Sequence, residues 1–146
     1  MTEPDDSLHA TATDLRLATF RLARRLRLER AVDTLSDAQY AVLASLRTHG
    51  RLALGALAQH ERVSAPTMSN TVDALAVSGH VVRVPDENDR RRVYIEITTA
   101  GTAVVMATVQ KRDAALADAL AELDFTESEL ATLREAAALM RKVAER

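Results

Sequence analysis

The chain has 146 residues, of which 47% are hydrophobic and 3% aromatic, and its formal net charge is −2. It contains no cysteine, which excludes disulfides, thiolate catalysis and a cysteine-based redox switch. It has neither an apolar run of membrane-spanning length nor the basic and apolar segments of a signal peptide, so we expect a cytoplasmic protein with no membrane partner.

Basic and acidic residues are unevenly distributed along the chain. Residues 15–30 contain six arginines and one glutamate, whereas residues 113–146 contain eight acidic and four basic residues. Three more arginines are consecutive at 90–92. This segregation permits a positively charged face on a protein that is slightly acidic overall.

Two helices are predicted in the first third of the chain. Residues 8–31 form a long, arginine-rich helix with apolar residues at close to a 3.6-residue repeat, namely Leu8, Ala12, Leu15, Leu22 and Leu26. A second helix begins after Ser36, because Ser36 and Gln39 have the spacing of a capping box. It ends at His49-Gly50, and its apolar stripe consists of Val42, Leu43 and Leu46.

A short strand and two shorter helices follow. Residues 52–54 are a candidate strand, and residues 54–61 a helix whose inward positions are Leu54, Leu57 and Ala58. Ser64 caps the next helix, which tolerates Pro66 in its first turn and ends at Gly79. Its buried side consists of Val72, Leu75 and Ala76, and Met68 is expected to pack inward or to contact a thymine methyl group.

Residues 81–97 predict a β-hairpin with a cationic tip. Two segments of alternating apolar residues, 81–84 and 93–97, flank an acidic turn that contains Asn88. Arg90, Arg91 and Arg92 follow this turn. Arg92 begins the second strand, where a phosphate and a nearby acid are alternative partners.

The last third of the chain is helical again. Thr98 or Thr99 caps a long helix that extends to about Ala121, with apolar positions at Val104, Val105, Val109, Leu116 and Leu120. A second capping box, Thr126 with Glu129, begins the last helix, whose faces carry Leu130, Leu133, Leu139 and Val143. We therefore expect a mainly α (α+β) fold of one domain, 1–146, with a compact lobe at 36–99.

The helices outside that lobe, 8–31 and 100–146, are amphipathic but have little in their own chain to cover them. Long terminal helices of this kind commonly bury their apolar stripes against a second copy, which predicts a homodimer. The arginines at 16–30 could be solvated, could pair with the acidic C-terminal helices of the partner, or could line an anion pocket.

A polar helix followed by an arginine-tipped hairpin predicts a winged helix bound to double-stranded DNA. The helix would enter the major groove, and the hairpin, or wing, would contact the backbone or the minor groove. Guanidinium groups suit phosphates and narrow minor grooves, and Asn70 could pair with an adenine. The candidate DNA-binding residues are Ser64, Ala65, Pro66, Thr67, Ser69, Asn70, Thr71, Arg90, Arg91 and Arg92.

Other chemistries find little support in the residues. The four histidines lack the spacing of a metal site, and the acids at 86, 87 and 89 do not fit an oxygen cage for a cation. The sequence has no glycine-rich phosphate loop and no nucleophile elbow. We therefore predict no enzyme activity, no metal and no cofactor.

Several short segments, in order, resemble the MarR family of bacterial transcriptional regulators over nearly the full length. They are Leu57-Ala58, Val63-Ser64, Val72-Asp73-x-Leu75, Gly79, Asp89-x-Arg91 and Ile97-Thr98-x-x-Gly101. The resemblance implies a winged helix-turn-helix fold, an obligate homodimer on palindromic DNA, and release by a small, often phenolic or anionic, effector. It also implies that Asp89, a further candidate DNA-binding residue, pairs with Arg91 and holds it at the wing tip, where Arg91 enters the minor groove.

The chain departs from the family pattern at two places. Asn70 stands where many relatives carry a larger polar residue, and Ala53 replaces the usual hydroxyl cap. We expect a sequence-specific, ligand-responsive repressor whose ligand-binding residues are unknown. An architectural DNA binder without ligand and a protein–protein adaptor built on a winged helix remain the alternatives.

Overall fold

The structure is a computed structural model, which describes residues 3–31, 34–89 and 92–145. These residues form six helices and three strands. The helices are α1 Glu3–Arg27, α2 Asp37–His49, α3 Leu54–His60, α4 Ala65–Val77, α5 Thr99–Glu122 and α6 Glu127–Ala144, and the strands are β1 Leu52–Ala53, β2 Val81–Pro85 and β3 Val93–Ile97. The mainly α fold predicted from the sequence is confirmed.

The chain forms two compact units, Met1–Arg112 and Asp113–Arg146. This boundary falls inside the segment 100–146 that the sequence assigned to the terminal helices. The predicted division into a lobe at 36–99 and a helical region at 8–31 and 100–146 stays a prediction.

The predicted bounds of α1 were wrong at both ends. The helix begins at Glu3 rather than at residue 8, and the proline and acids of its first turn are residues that favour a helix start. It ends at Arg27 rather than at residue 31, and Leu28 N and Glu29 N make the tighter bonds to Arg25 O and Leu26 O that often close a last helical turn. Arg112 Nε donates to Leu26 O and Glu29 O there, at 3.0 and 3.2 Å. The Arg112 guanidinium also lies over the ring of Tyr40, 4.5 Å from its centroid.

The core of the first unit is built from one side of each short element. α2 contributes Val42, Leu43 and Leu46; α3 contributes Leu57 and Ala58; α4 contributes Met68, Val72 and Leu75; Leu35, Val81, Ile95 and Val105 complete the cluster. Burial of such side chains is the main force that stabilises a domain of this size. The apolar positions predicted for α2, α3 and α4 are therefore confirmed.

The strands form one antiparallel sheet in the order β1–β3–β2. The hairpin register places Val81 opposite Ile97 and Pro85 opposite Val93. β1 is one residue shorter than predicted, because Leu54 is already the first residue of α3.

Thr98 joins the hairpin to α5. Its hydroxyl accepts from Gly101 N at 3.1 Å and donates to Gly79 O at 2.8 Å, so it caps α5 and fixes the end of α4 at once. A Cβ at Gly101 would collide with the backbone carbonyl of His80, which explains why a glycine is needed there.

The second unit contains the end of α5 and all of α6. The predicted capping box is present: Glu129 N donates to Thr126 Oγ1, and Thr126 N donates to Glu129 Oε2. α6 contains no buried residue, and Leu139 is 61% exposed. Within the described residues, no helix is long and apolar enough to cross a membrane.

Candidate nucleic-acid interface

The N-terminus of α4 is organised by Ser64, as predicted. Its hydroxyl accepts from Thr67 N at 3.3 Å and lies 2.8 Å from Thr67 Oγ1, while Ser64 O accepts from Met68 N at 2.9 Å. Pro66 lies in the first turn, where the missing N–H has no partner to lose. The cap therefore fixes where the helix begins and which side chains face outward.

The two sides of α4 differ sharply in exposure. Met68 is 1% exposed and packs into the core, so the alternative of a thymine contact is wrong. Ala65, Pro66, Thr67 and Asn70 are exposed, and Ser69 and Thr71 are half-buried. The Thr71 hydroxyl donates to Thr67 O at 3.1 Å, which ties it to its own helix. The outer face thus presents small polar groups centred on Asn70.

The turn between α3 and α4 has the form of a Schellman motif. Val63 N donates to Ala58 O at 3.0 Å and Arg62 N donates to Gln59 O at 3.2 Å. Arg62 has φ of 53°, a left-handed conformation that glycine normally supplies at this position. At the other end of α3, Ala53 is the N-cap and makes no side-chain cap hydrogen bond, as its identity predicts.

The wing turn is held by the side chain of Asp86. Its Oδ1 accepts from Asn88 N at 2.8 Å and from Asp89 N at 2.9 Å. The backbone N–H groups of Asp89 and Asn88 lower the pKa of Asp86 from its ordinary value, because they stabilise the charged carboxylate. Asp86 N and Arg92 O close the base of the turn at 2.8 Å.

Arg90 and Arg91 lie outside the described residues, and so does the proposed pairing of Asp89 with Arg91. Arg92 is described: it is exposed, and its Nε lies 3.8 Å from Asp89 Oδ2. An acid is thus one partner of Arg92, as the sequence allowed. The long distance and the exposure of both side chains make this a weak contact.

An ion pair links α4 to the wing, and the sequence analysis missed it. Arg83 Nη1 donates to Asp73 Oδ1 at 2.7 Å. Arg83 lies two residues after the buried Val81 and opposite the buried Ile95, so it shares their face of the sheet, although its own side chain is 41% exposed. Its partner could not be found from the sequence, because only the fold brings α4 and β2 together.

The remaining candidate residues are the arginines at 16–30 and the histidines. Arg30, of the 16–30 arginines, donates to Leu35 O at 2.8 Å and pairs with Asp37 Oδ1 at 2.5 Å. His49 and His60 are far apart in sequence, yet their rings stack with centroids 4.9 Å apart. Within the described residues, no group of three or more His, Cys, Asp or Glu side chains could hold a metal ion.

Comparisons with known proteins agree on one family. The family model for MarR matches residues 35–93, which contain α2 to the start of β3. The HTH-type transcriptional regulator Mb0904 of Mycobacterium bovis is 38% identical over 135 residues, which cover 92% of this chain and 93% of that protein.

Solved structures resemble the whole chain. A Pseudomonas aeruginosa protein described as a transcriptional regulator superposes with a TM-score of 0.85 at 26% identity, and covers 98% of this chain and 99% of its own. A MepR variant from S. aureus, bound to an oligodeoxyribonucleotide, superposes with a TM-score of 0.68 at 20% identity and covers 92% of this chain and 97% of its own. The second likeness concerns the fold alone.

Proposed function

This chain belongs to the MarR family of DNA-binding transcriptional regulators, and we propose that it is a ligand-responsive repressor that binds a palindromic operator as a homodimer in the cytoplasm. The observation that carries the proposal is the outer face of α4. Its small polar side chains are exposed beside an arginine-containing wing, and its inner face is fixed in the core.

Two kinds of contact with DNA are proposed, one from α4 to the bases and one from the wing to the backbone or the minor groove. Asn70, Thr67, Ser69 and the first-turn residues 64–66 would face the major groove, where an amide can read an adenine. The arginines of the wing, Arg90 to Arg92, would contact phosphates or the minor groove and set the register. Asp89 would hold the wing arginines in place. A repressor would then act by occupying its site on the DNA.

The exposed apolar residues of α1 and α6 support the homodimer. Phe20 is 63% exposed and Val143 65% exposed, and leaving such large side chains in water is costly. A second copy that covered them would also bring two copies of α4 to one side of the DNA, about 34 Å apart for successive major grooves. Palindromic operators follow from that two-fold symmetry.

A small phenolic or anionic effector is the signal that we propose for release. Family membership supports it, and the arginines at 16–30 offer a candidate anion site. An effector that favoured a different separation of the two α4 helices would lower operator affinity, because only one separation fits the operator. The names of the relatives support regulation rather than catalysis, and an architectural binder or an adaptor remains the competing function.

The direct test is selection of duplexes from a randomised pool by the full-length protein, followed by titration of the enriched duplex. We expect enrichment of an inverted repeat with half-sites about ten base pairs apart, centre to centre. Enrichment without a repeat would favour an architectural binder, and no affinity for any duplex at low salt would favour an adaptor. Repeating the titration with salicylate as a phenolic anion tests the effector.

A further inference from the structure

The ion pair between Asp73 and Arg83 connects the two elements that the proposed function places on DNA. Asp73 belongs to α4 and Arg83 to β2, and their side chains meet at 2.7 Å. We propose that this pair is a clamp that fixes the wing at the angle to α4 that one DNA site requires. The inference rests on the proposed function and assigns Asp73 and Arg83 as positioning residues.

The register of the hairpin explains how Arg83 reaches α4. Arg83 is opposite the buried Ile95 and two residues after the buried Val81, so it stands on the face of the sheet that covers the core. The next residues of β2 leave the core towards the wing tip. Val84 and the opposite Tyr94 are half-buried, and Pro85 and Val93 are exposed, so Arg83 lies between the buried base of the hairpin and its exposed end.

The position of Asp73 makes its role unusual for a DNA-binding helix. Asp73 is three residues after Asn70, which places the two on neighbouring positions of the helix surface, and both are exposed. A carboxylate on this side of α4 is repelled by DNA phosphates. Its presence there is explained if Arg83 neutralises it and the pair performs a structural task.

Two explanations of the pair predict opposite effects of one substitution. If Arg83 only bound a phosphate and Asp73 competed for it, Asp73→Asn would free Arg83, remove a negative charge and tighten DNA binding. If the pair orients the wing, Asp73→Asn would weaken binding although it makes the protein less negative. The sign of the change therefore separates the clamp from simple electrostatics.

The experiment is a double-mutant cycle on the full-length protein with the selected duplex, read by fluorescence anisotropy. We expect Asp73→Asn and Arg83→Gln each to weaken binding roughly twofold to fivefold per winged lobe, the range of an exposed ion pair. The double variant should lose no more than Arg83→Gln alone, because each single change already breaks the pair. Reversing the pair with Asp73→Arg and Arg83→Asp together should restore part of the affinity.

Glu96→Gln is the matched control, because Glu96 is an exposed carboxylate opposite Val82 in the hairpin. It should bind as well as the wild type or better. Unchanged circular dichroism and thermal unfolding would show that all variants are folded. Tighter or unchanged binding by Asp73→Asn, or additive losses in the cycle, would overturn the clamp. A wild-type protein with no affinity for any duplex would overturn the proposed function itself.

Discussion

The winged part of the chain and its terminal helices differ in how their apolar residues are covered. In α2, α3 and α4 the large apolar side chains on the inner face are buried or, like Leu54, partly buried against the core, and Leu43 is 0% exposed. In α1, none of the described side chains is buried, and in α6 none is buried either. The first region is completed by its own residues, whereas the second carries apolar surface that its own chain leaves in water.

This difference matters because stability and association are then encoded in separate places. A substitution in the winged core should act on the folding of each chain, independent of its concentration. A substitution on an outer face of α1 or α6 should act through a second copy, so its effect should depend on protein concentration. The effects of substitutions can therefore show whether the winged core acts within one chain and the terminal helices act between two copies.

The largest effect is expected from removal of residues 126–146. The intact protein should be a dimer by light scattering at micromolar concentration, and the truncated one a monomer or an aggregate. Affinity for a duplex with two half-sites should fall about a hundredfold to ten-thousandfold, because two linked contacts become one. A monomeric intact protein with full operator affinity would remove the distinction between the two regions.

Leu139→Lys refines the same test without deleting a helix. Leu139 is exposed in the single chain and on the outer side of α6, so a lysine there should not disturb the fold of one copy. Ala137→Lys is the control, because it adds the same charge at another exposed position that is two residues earlier and so lies on the opposite side of the helix. Dissociation by the first variant and not by the second would locate the interface on α6.

Leu43→Ala should give the next largest effect, a loss of about 2–5 kcal/mol in the free energy of unfolding, because it opens a cavity in the winged core. Denaturant unfolding at several protein concentrations is the measurement. The loss should be the same at each concentration, whereas any loss from Leu139→Ala should be largest in concentrated protein, where the wild type is dimeric, and should shrink as the protein is diluted. Equal concentration dependence for both variants would contradict the comparison.

Features that depend on residues close together in the sequence were predicted, and features that depend on distant residues were not. The capping boxes at Ser36 and Thr126 were predicted correctly, because both partners lie within one turn of the same helix. The inner faces of α2 and α4 were predicted for the same reason, since the repeat of apolar residues is local. The early end of α1 was not predicted, and neither were the hydrogen bonds there from Arg112, more than eighty residues away, to Leu26 O and Glu29 O.

In the candidate interface, too, contacts between elements that are distant in the sequence were not predicted. Of the α4 residues proposed to contact DNA, Ala65, Pro66, Thr67 and Asn70 are exposed, whereas Ser69 and Thr71 are half-buried. For Met68, which is in the core, the sequence left two environments open. The pairing of Asp73 with Arg83 and the stacking of His49 on His60 required the fold, because it brings separate elements together. The left-handed backbone of Arg62 could not be predicted from the residue type, because arginine does not favour that conformation.

Asn70→Ala tests whether the outer face of α4 reads bases. We expect a loss of about 1–3 kcal/mol at one operator position and little change on unrelated DNA. Arg92→Ala is the comparison variant at the wing, and it should weaken binding to all sequences and make the salt dependence shallower by about one unit. An equal loss on every duplex for Asn70→Ala would make it a phosphate contact.

The smallest expected effect, and the most local, is a gain of about 0.5–1 kcal/mol in the free energy of unfolding from Arg62→Gly. Arg62 has φ of 53° in the turn before α4, a conformation that is strained for a residue with a Cβ. Glycine relieves that strain, but it also loses more conformational entropy on folding, so the net gain in stability is smaller than the strain. Asp124, with φ of 50° in the turn between α5 and α6, is the matched control from the other region.

A short polar side chain tolerates this conformation better than a long one. Asp124→Gly should therefore gain less than Arg62→Gly, and its effect should not alter DNA binding. Chemical denaturation of both variants at one fixed protein concentration gives the two values. A smaller gain for Arg62→Gly than for Asp124→Gly would contradict this prediction. It would mean that interactions of the Arg62 side chain outweigh the strain of its left-handed backbone.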